Sequence, residues 1–159
     1  MDHIYLDSNI LIACYAGDSA EASKKVLVER AFKAFMNLKD IQLCTSMWTL
    51  AEAYKVLLAN KNLKREDVSV IETQLLHEKR LLNVKLKLID VSPDSGYDFD
   101  EFFFHLRQAI VNHPSGIGDI IHTVIMKNNG ISTILTFDEK DDFRGIPDIT
   151  VLHPRDVKF

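Results

Sequence analysis

Apolar residues recur along this chain in short runs whose period switches between two and about 3.6. Ile4 and Leu6 open a strand, and the apolar stretch over 9–15 predicts a short helix. Asp18-Ser19-Ala20-Glu21 has the spacing of a capping box and starts a helix running to about Leu38. Residues 41–45 read as a second strand, with Ser46 placed to cap the next helix. Met47, Leu50, Ala51, Tyr54, Leu57 and Leu58 then keep helical spacing up to about Asn60. Another helix is predicted over about 65–83, with Val68, Ile71, Leu75 and Leu82 inward. Residues 86–91 form a third strand, broken by Ser92-Pro93-Asp94. Phe99, Phe102, Phe103, Leu106 and Ile110 lie on one helical stripe, followed by the loop His113-Pro114-Ser115-Gly116. Gly118-Asp119 opens a helix packed through Ile121, Val124 and Ile125 and closed by Asn129-Gly130. Residues 133–137 and 148–152 give the fourth and fifth strands.

Strands separated by helices imply an α/β fold: a mainly parallel, five-stranded sheet covered by helices on both faces. At 159 residues, with neither repeat nor linker, the chain is expected to form one domain over 1–159. In such sheets ligands bind outside the carboxyl ends of the strands, where the strand order reverses.

That rule draws attention to four acids. Asp7 ends the first strand, and Asp138 directly follows the fourth. Glu52 and Asp119 sit near the starts of two helices. Four clustered negative charges repel, and a hard divalent ion such as Mg²⁺, which prefers oxygen ligands, resolves the conflict. Each acid also has a plainer reading. Asp7 can cap a helix, Glu52 can be a solvated charge, Asp119 can answer a helix dipole, and Asp138 can belong to the acidic turn Asp138, Glu139, Asp141, Asp142. Asp141 is the second choice for the fourth acid. Ser8 and Thr136 are hydroxyl residues beside the acids. His122, one turn beyond Asp119, reads as a packed or surface histidine, with a phosphate contact as the alternative. Lys55, Lys61, Lys64 and Arg65 follow Glu52 and are candidates for phosphate contact.

Composition narrows the class. No apolar run approaches the roughly 20 residues of a membrane helix, and the N-terminus lacks the features of a signal peptide. Cys14 and Cys44 stand among apolar neighbours and are expected to be reduced thiols, which fits a cytoplasmic protein. The net charge of −4 argues against a protein that coats nucleic acid, but it is unevenly spread. Residues 1–92 carry 13 basic and 12 acidic side chains, and residues 93–159 carry 6 and 11. Two phosphate-handling classes fail on register. A haloacid-dehalogenase-type phosphotransferase needs an Asp where this chain has Asn9, and a receiver domain needs an acid pair and a lysine that are not in place.

Taken together, Tyr5-Leu6-Asp7-Ser8-Asn9, Thr45-Ser46 through Ala51-Glu52, Gly118-Asp119 and Leu135-Thr136-Phe137-Asp138 resemble the PIN domain, especially the VapC-type ribonuclease toxins. Phe143, Gly145-Ile146-Pro147 and Ile149-Thr150-Val151-Leu152 fit the family's last turn and strand. The resemblance implies a PIN-like three-layer sandwich and an endoribonuclease that hydrolyses RNA with Mg²⁺, Mn²⁺ being a possible substitute. By position it assigns catalysis to Asp7, Glu52, Asp119 and Asp138, and the metal to Asp7, Asp119 and Asp138. Asn9 and Thr136 become supporting residues, and Lys55 a substrate contact. It also implies a homodimer and a cognate antitoxin. An RNA-processing nuclease without an antitoxin and a non-catalytic RNA- or protein-binding module are the alternatives. The helix predicted over 65–83 and the acidic run after Asp138 depart from the family pattern.

Overall fold

The computed structural model describes residues 2–138, 143 and 146–158. Its strands are β1 (Asp2–Leu6), β2 (Ile41–Ser46), β3 (Arg80–Leu81), β4 (Val84–Ile89), β5 (Thr133–Leu135) and β6 (Thr150–Leu152). Its helices are α1 (Ser8–Tyr15), α2 (Ser19–Met36), α3 (Met47–Ala59), α4 (Arg65–Glu72), α5 (Phe99–Asn112) and α6 (Ile117–Asn128). The strands form one six-stranded sheet in the order β3-β4-β2-β1-β5-β6, parallel except for the short edge strand β3.

The sixth strand corrects the expected five, and it arises where a long helix was expected. The helix beginning at Arg65 widens into a π-helical turn, Thr73–His77, and stops. The chain then folds as a tight hairpin in which Arg80 pairs with Lys85 and Leu81 with Val84. Leu81 is fully buried in place of the expected Leu82, which takes a left-handed conformation at φ 53°. Val68, Ile71 and Leu75 face inward as their spacing implies.

Alternation along the strands feeds two cores. Ile4, Leu6, Leu43, Leu86 and Leu135 pack on one face with residues of α1, α2 and α3. Tyr5, Cys44, Ile89 and Ile134 pack on the other with α5 and α6. Each buried Leu or Ile contributes about 1.5–3 kcal/mol of apolar transfer free energy. Cys14 belongs to the first core and Cys44 to the second, and both are free thiols. Burial pushes Cys14 up to about 12 and Cys44 up to about 11, which makes both inert.

The helix starts follow their expected caps. Asp18 Oδ1 accepts from the Glu21 amide at 2.8 Å, and Ser46 Oγ accepts from the Thr49 amide at 3.3 Å. Two helical faces differ from the sequence reading. On α3 the buried face is Thr49, Leu50, Ala53 and Leu57, while Met47, Ala51 and Leu58 are exposed. On α5, Phe102, Leu106 and Ala109 turn to the core, leaving Phe99, Phe103 and Ile110 exposed. Phe32 and Phe35 are core residues, whereas Trp48 is exposed.

From β1 the chain moves outward to β2 and β4 on one side, then returns to place β5 on the other side of β1. The reversal of strand order therefore falls beside β1, and a crevice opens beyond the carboxyl ends of β1 and β5.

Candidate metal centre

Asp7 is the first residue past β1, and Thr136 is the first past β5. The strands pair in parallel register with Leu6 opposite Leu135, and the Asp7 amide donates to the Leu135 carbonyl at 3.1 Å. The two side chains thus emerge together. Thr136 Oγ1 donates to Asp7 Oδ2 at 2.7 Å, and Asn9 Nδ2 donates to the same oxygen at 3.1 Å. Asp7 Oδ1 accepts from the Ser8 amide at 2.6 Å and from Ser8 Oγ at 3.3 Å. Asp7 is also the N-cap of α1, so the helix-cap reading holds, and the same carboxylate faces the crevice. Its side chain is 4% exposed, and hydrogen bonds to both oxygens fix its orientation.

Asn9 and Thr136 extend this framework. Asn9 Nδ2 also donates to Thr136 Oγ1 at 2.8 Å, and Asn9 Oδ1 accepts from the Phe137 amide at 3.1 Å. The Asp138 amide donates to Thr136 Oγ1 at 3.0 Å. The half-buried Asp138 is thereby tied by its backbone to the residue that holds Asp7. Asp141, the alternative fourth acid, lies outside the described residues, as do Glu139, Asp142 and Gly145.

Glu52 reaches the crevice from the second turn of α3, its side chain 28% exposed. Across it stands the first turn of α6. A Cβ at Gly118 would lie 3.0 Å from Glu52 Oε1, so glycine there lets the carboxylate approach the helix backbone. Asp119 follows in the same turn, its Oδ2 near the N-cap Gly116.

The residue that the sequence reading undervalued is His122. It is 2% exposed and points into the crevice. Its Nε2 lies 2.7 Å from Glu52 Oε2 and 3.5 Å from Asp7 Oδ1. Its Nδ1 lies 3.0 Å from the Tyr5 hydroxyl, which also meets Ser46 Oγ at 2.6 Å and Thr49 Oγ1 at 2.8 Å. Burial alone lowers the pKa of this imidazole. The hydrogen bond to Glu52 and the charges of Asp7, Glu52 and Asp119 outweigh it, and the net shift is upward. The spacing Asp119-x-x-His122, which puts both residues on one side of α6, was the available signal.

Asp7, Glu52 and His122 each offer a ligand atom, and these atoms all lie within 4.8 Å of one another. Two carboxylates and an imidazole at that separation could hold a divalent cation, and the charge of Asp119 also acts on His122. Of the lysines after Glu52, Lys55 is exposed on α3. Lys61 instead pairs with Asp18 at 2.8 Å and Glu21 at 3.2 Å, tying the end of α3 to the start of α2.

A parallel sheet wound on both sides, with an acidic crevice at its switch point, defines an α/β domain fitted to hold a cation. The sequence profile of the PIN domain matches residues 4–148, and the chain belongs to the PIN-domain family. No curated protein matches the sequence. Solved structures share its fold. VapBC2 from Rickettsia felis, bound to a DNA fragment from its promoter, is 18% identical, the match covering 95% of this chain and 98% of that one (TM-score 0.55). VapC20 from Mycobacterium tuberculosis, a sarcin–ricin loop cleaving toxin, is 17% identical over 92% and 98% (TM-score 0.58). FitAcB from Neisseria gonorrhoeae is 19% identical over 95% and 97% (TM-score 0.55). No helix among the described residues is long and apolar enough to cross a membrane.

Proposed function

We propose that this chain is a divalent-cation-dependent endoribonuclease and the toxin of a toxin–antitoxin pair. The observation that carries this reading is the convergence of Asp7 and Glu52 on one crevice at the sheet's switch point, inside a PIN-domain fold. The sarcin–ricin loop cleaving activity named for VapC20 favours RNA as the substrate. The VapBC2 and FitAcB neighbours favour a cognate antitoxin, and a homodimer in the cytoplasm completes the proposal.

In this reading Asp7, Glu52, Asp119 and Asp138 would hold Mg²⁺ or Mn²⁺, directly or through water. A bound ion would supply Lewis acidity and make a coordinated water more acidic. The protein's own part is preorganisation. Asn9 and Thr136 fix the Asp7 carboxylate, and in the metal-free protein His122 holds Glu52 beside it. Water is the nucleophile, so no side chain bonds to phosphorus. Lys55 meets a phosphate of the RNA from the rim.

The test is cleavage of labelled RNA by the purified protein with Mg²⁺ or Mn²⁺. Chelation, Asp7→Asn and Asp119→Asn should each abolish cleavage, while circular dichroism shows a retained fold. Undiminished cleavage by both variants would sink the assignment. A non-catalytic scaffold would show no specific rise in melting temperature on adding Mn²⁺, whereas a real site gains stability by linkage. Growth arrest on expression, relieved by the product of an adjacent gene, tests the toxin role.

A further inference from the structure

We propose that His122 is itself a ligand of the metal, presented by Tyr5, and that its nitrogen makes the site select a first-row transition ion over Mg²⁺. This rests on the metal-dependent reading above but departs from an all-carboxylate centre.

Three observations carry it. The first is position. Two neighbouring donors on an octahedral ion, each about 2.1 Å from it, lie about 3 Å apart. The separations of His122 Nε2 from Glu52 Oε2 and Asp7 Oδ1, 2.7 and 3.5 Å, fall on either side of that value. The second is burial. At 2% exposure His122 is almost closed to bulk water, and Nε2 lies beside Glu52 and Asp7, acids that would share the cation.

The third is the support behind the ring. A ligating imidazole almost always gives its other N–H to a fixed acceptor, which sets the tautomer. Tyr5 supplies that acceptor at 3.0 Å. Its hydroxyl can donate to Ser46 Oγ, the shortest of its three contacts at 2.6 Å, and accept from His122 Nδ1–H and from Thr49 Oγ1. In that arrangement every hydroxyl in the cluster is satisfied, and Nδ1 keeps the ring's proton when a cation displaces the one that Nε2 shares with Glu52. Tyr5 is a positioning residue here, acting on the metal only through the ring.

Selectivity comes from donor chemistry. Mg²⁺ strongly prefers oxygen ligands, while an imidazole raises affinity for transition ions. The structure therefore assigns this crevice a preference for Mn²⁺ or a later ion over Mg²⁺.

The decisive experiment is pulsed electron paramagnetic resonance of wild-type protein loaded with Mn²⁺ alone, alongside titrations with Mn²⁺ and Mg²⁺. The expected result is a ¹⁴N coupling to bound Mn²⁺ that changes on ¹⁵N-histidine labelling and disappears in His122→Gln. Mn²⁺ should bind at least tenfold more tightly than Mg²⁺, and His122→Gln should narrow that ratio. Tyr5→Phe should keep the nitrogen coupling while weakening Mn²⁺ binding by about 10–100-fold. Wild-type protein that binds Mn²⁺ without nitrogen coupling overturns the inference and leaves the nuclease reading standing. Wild-type protein that binds neither ion overturns both.

Discussion

Thr136 donates its hydroxyl to Asp7 at 2.7 Å, across 129 residues of sequence, because β1 and β5 are parallel neighbours that end in register. The threonine is fully buried and has no route to solvent. Replacing it with Val leaves the buried Asp7 Oδ2 with one donor, Asn9. We expect a loss of about 1–3 kcal/mol in stability by chemical denaturation, together with weaker Mn²⁺ binding. Thr136→Ser should restore most of both.

Gly118→Ala separates site geometry from fold stability. Alanine favours a helix over glycine by about 1 kcal/mol, so stability should hold or rise. The added methyl meets Glu52 Oε1 at 3.0 Å and must displace it. Metal affinity should fall roughly tenfold while the melting temperature of the metal-free protein does not fall. Unchanged affinity would show that Glu52 is not confined by α6.

The raised pKa of His122 gives the metal-free protein a defined pH response. The ring gains its proton more readily in the fold than in the unfolded chain, where its pKa is near 6.5. The resulting stabilisation is fully present below that value and is lost as pH rises through the higher folded pKa. The melting temperature of chelator-treated protein should therefore decline above about pH 6.5, and His122→Asn should flatten the decline.

Lys61 tests the difference between a phosphate contact and an internal tie. Its amine is engaged by Asp18 and Glu21, which join α2 to α3 away from the acids of the crevice. Lys61→Met should lower the melting temperature modestly and leave the KM for RNA unchanged. Lys55→Met should do the reverse, raising KM with little effect on stability.

The parts of the site visible in the sequence were those encoded locally. An acid directly after a buried strand needs only the strand to be recognised, which is why Asp7 stood out; Asp138, expected in the same position, lies three residues past β5, which ends at Leu135 instead of continuing to Phe137. The caps Asp18 and Ser46 and the terminator Gly130, at φ 66°, follow from side-chain chemistry within a few residues. His122 was hidden because its meaning lies in partners 70 and 117 positions away, Glu52 and Tyr5. On its own helix it is one more residue among Ile121, Thr123 and Val124. The β3–β4 hairpin escaped for another reason. Its turn places Leu82 at φ 53°, and Lys79 before it stands at φ 51°, where glycine or asparagine would have announced a reversal. The apolar spacing through Leu75, Leu76, Leu81 and Leu82 continued to look helical.

Asp7 holds two posts: it begins α1 and it faces the crevice. Glu52 holds only one, on a half-exposed helical surface. Mutational escape from a harmful activity should therefore take two forms. Survivors of forced expression that carry Asp7→Val would lose the start of a helix as well as the carboxylate, and should yield little intact protein. Survivors that carry Glu52→Gln or Glu52→Gly should accumulate as folded, silent molecules still able to engage whatever partner restrains the active form. Sequencing such survivors and measuring their protein levels would show how far this fold lets the proposed activity be silenced while the protein persists.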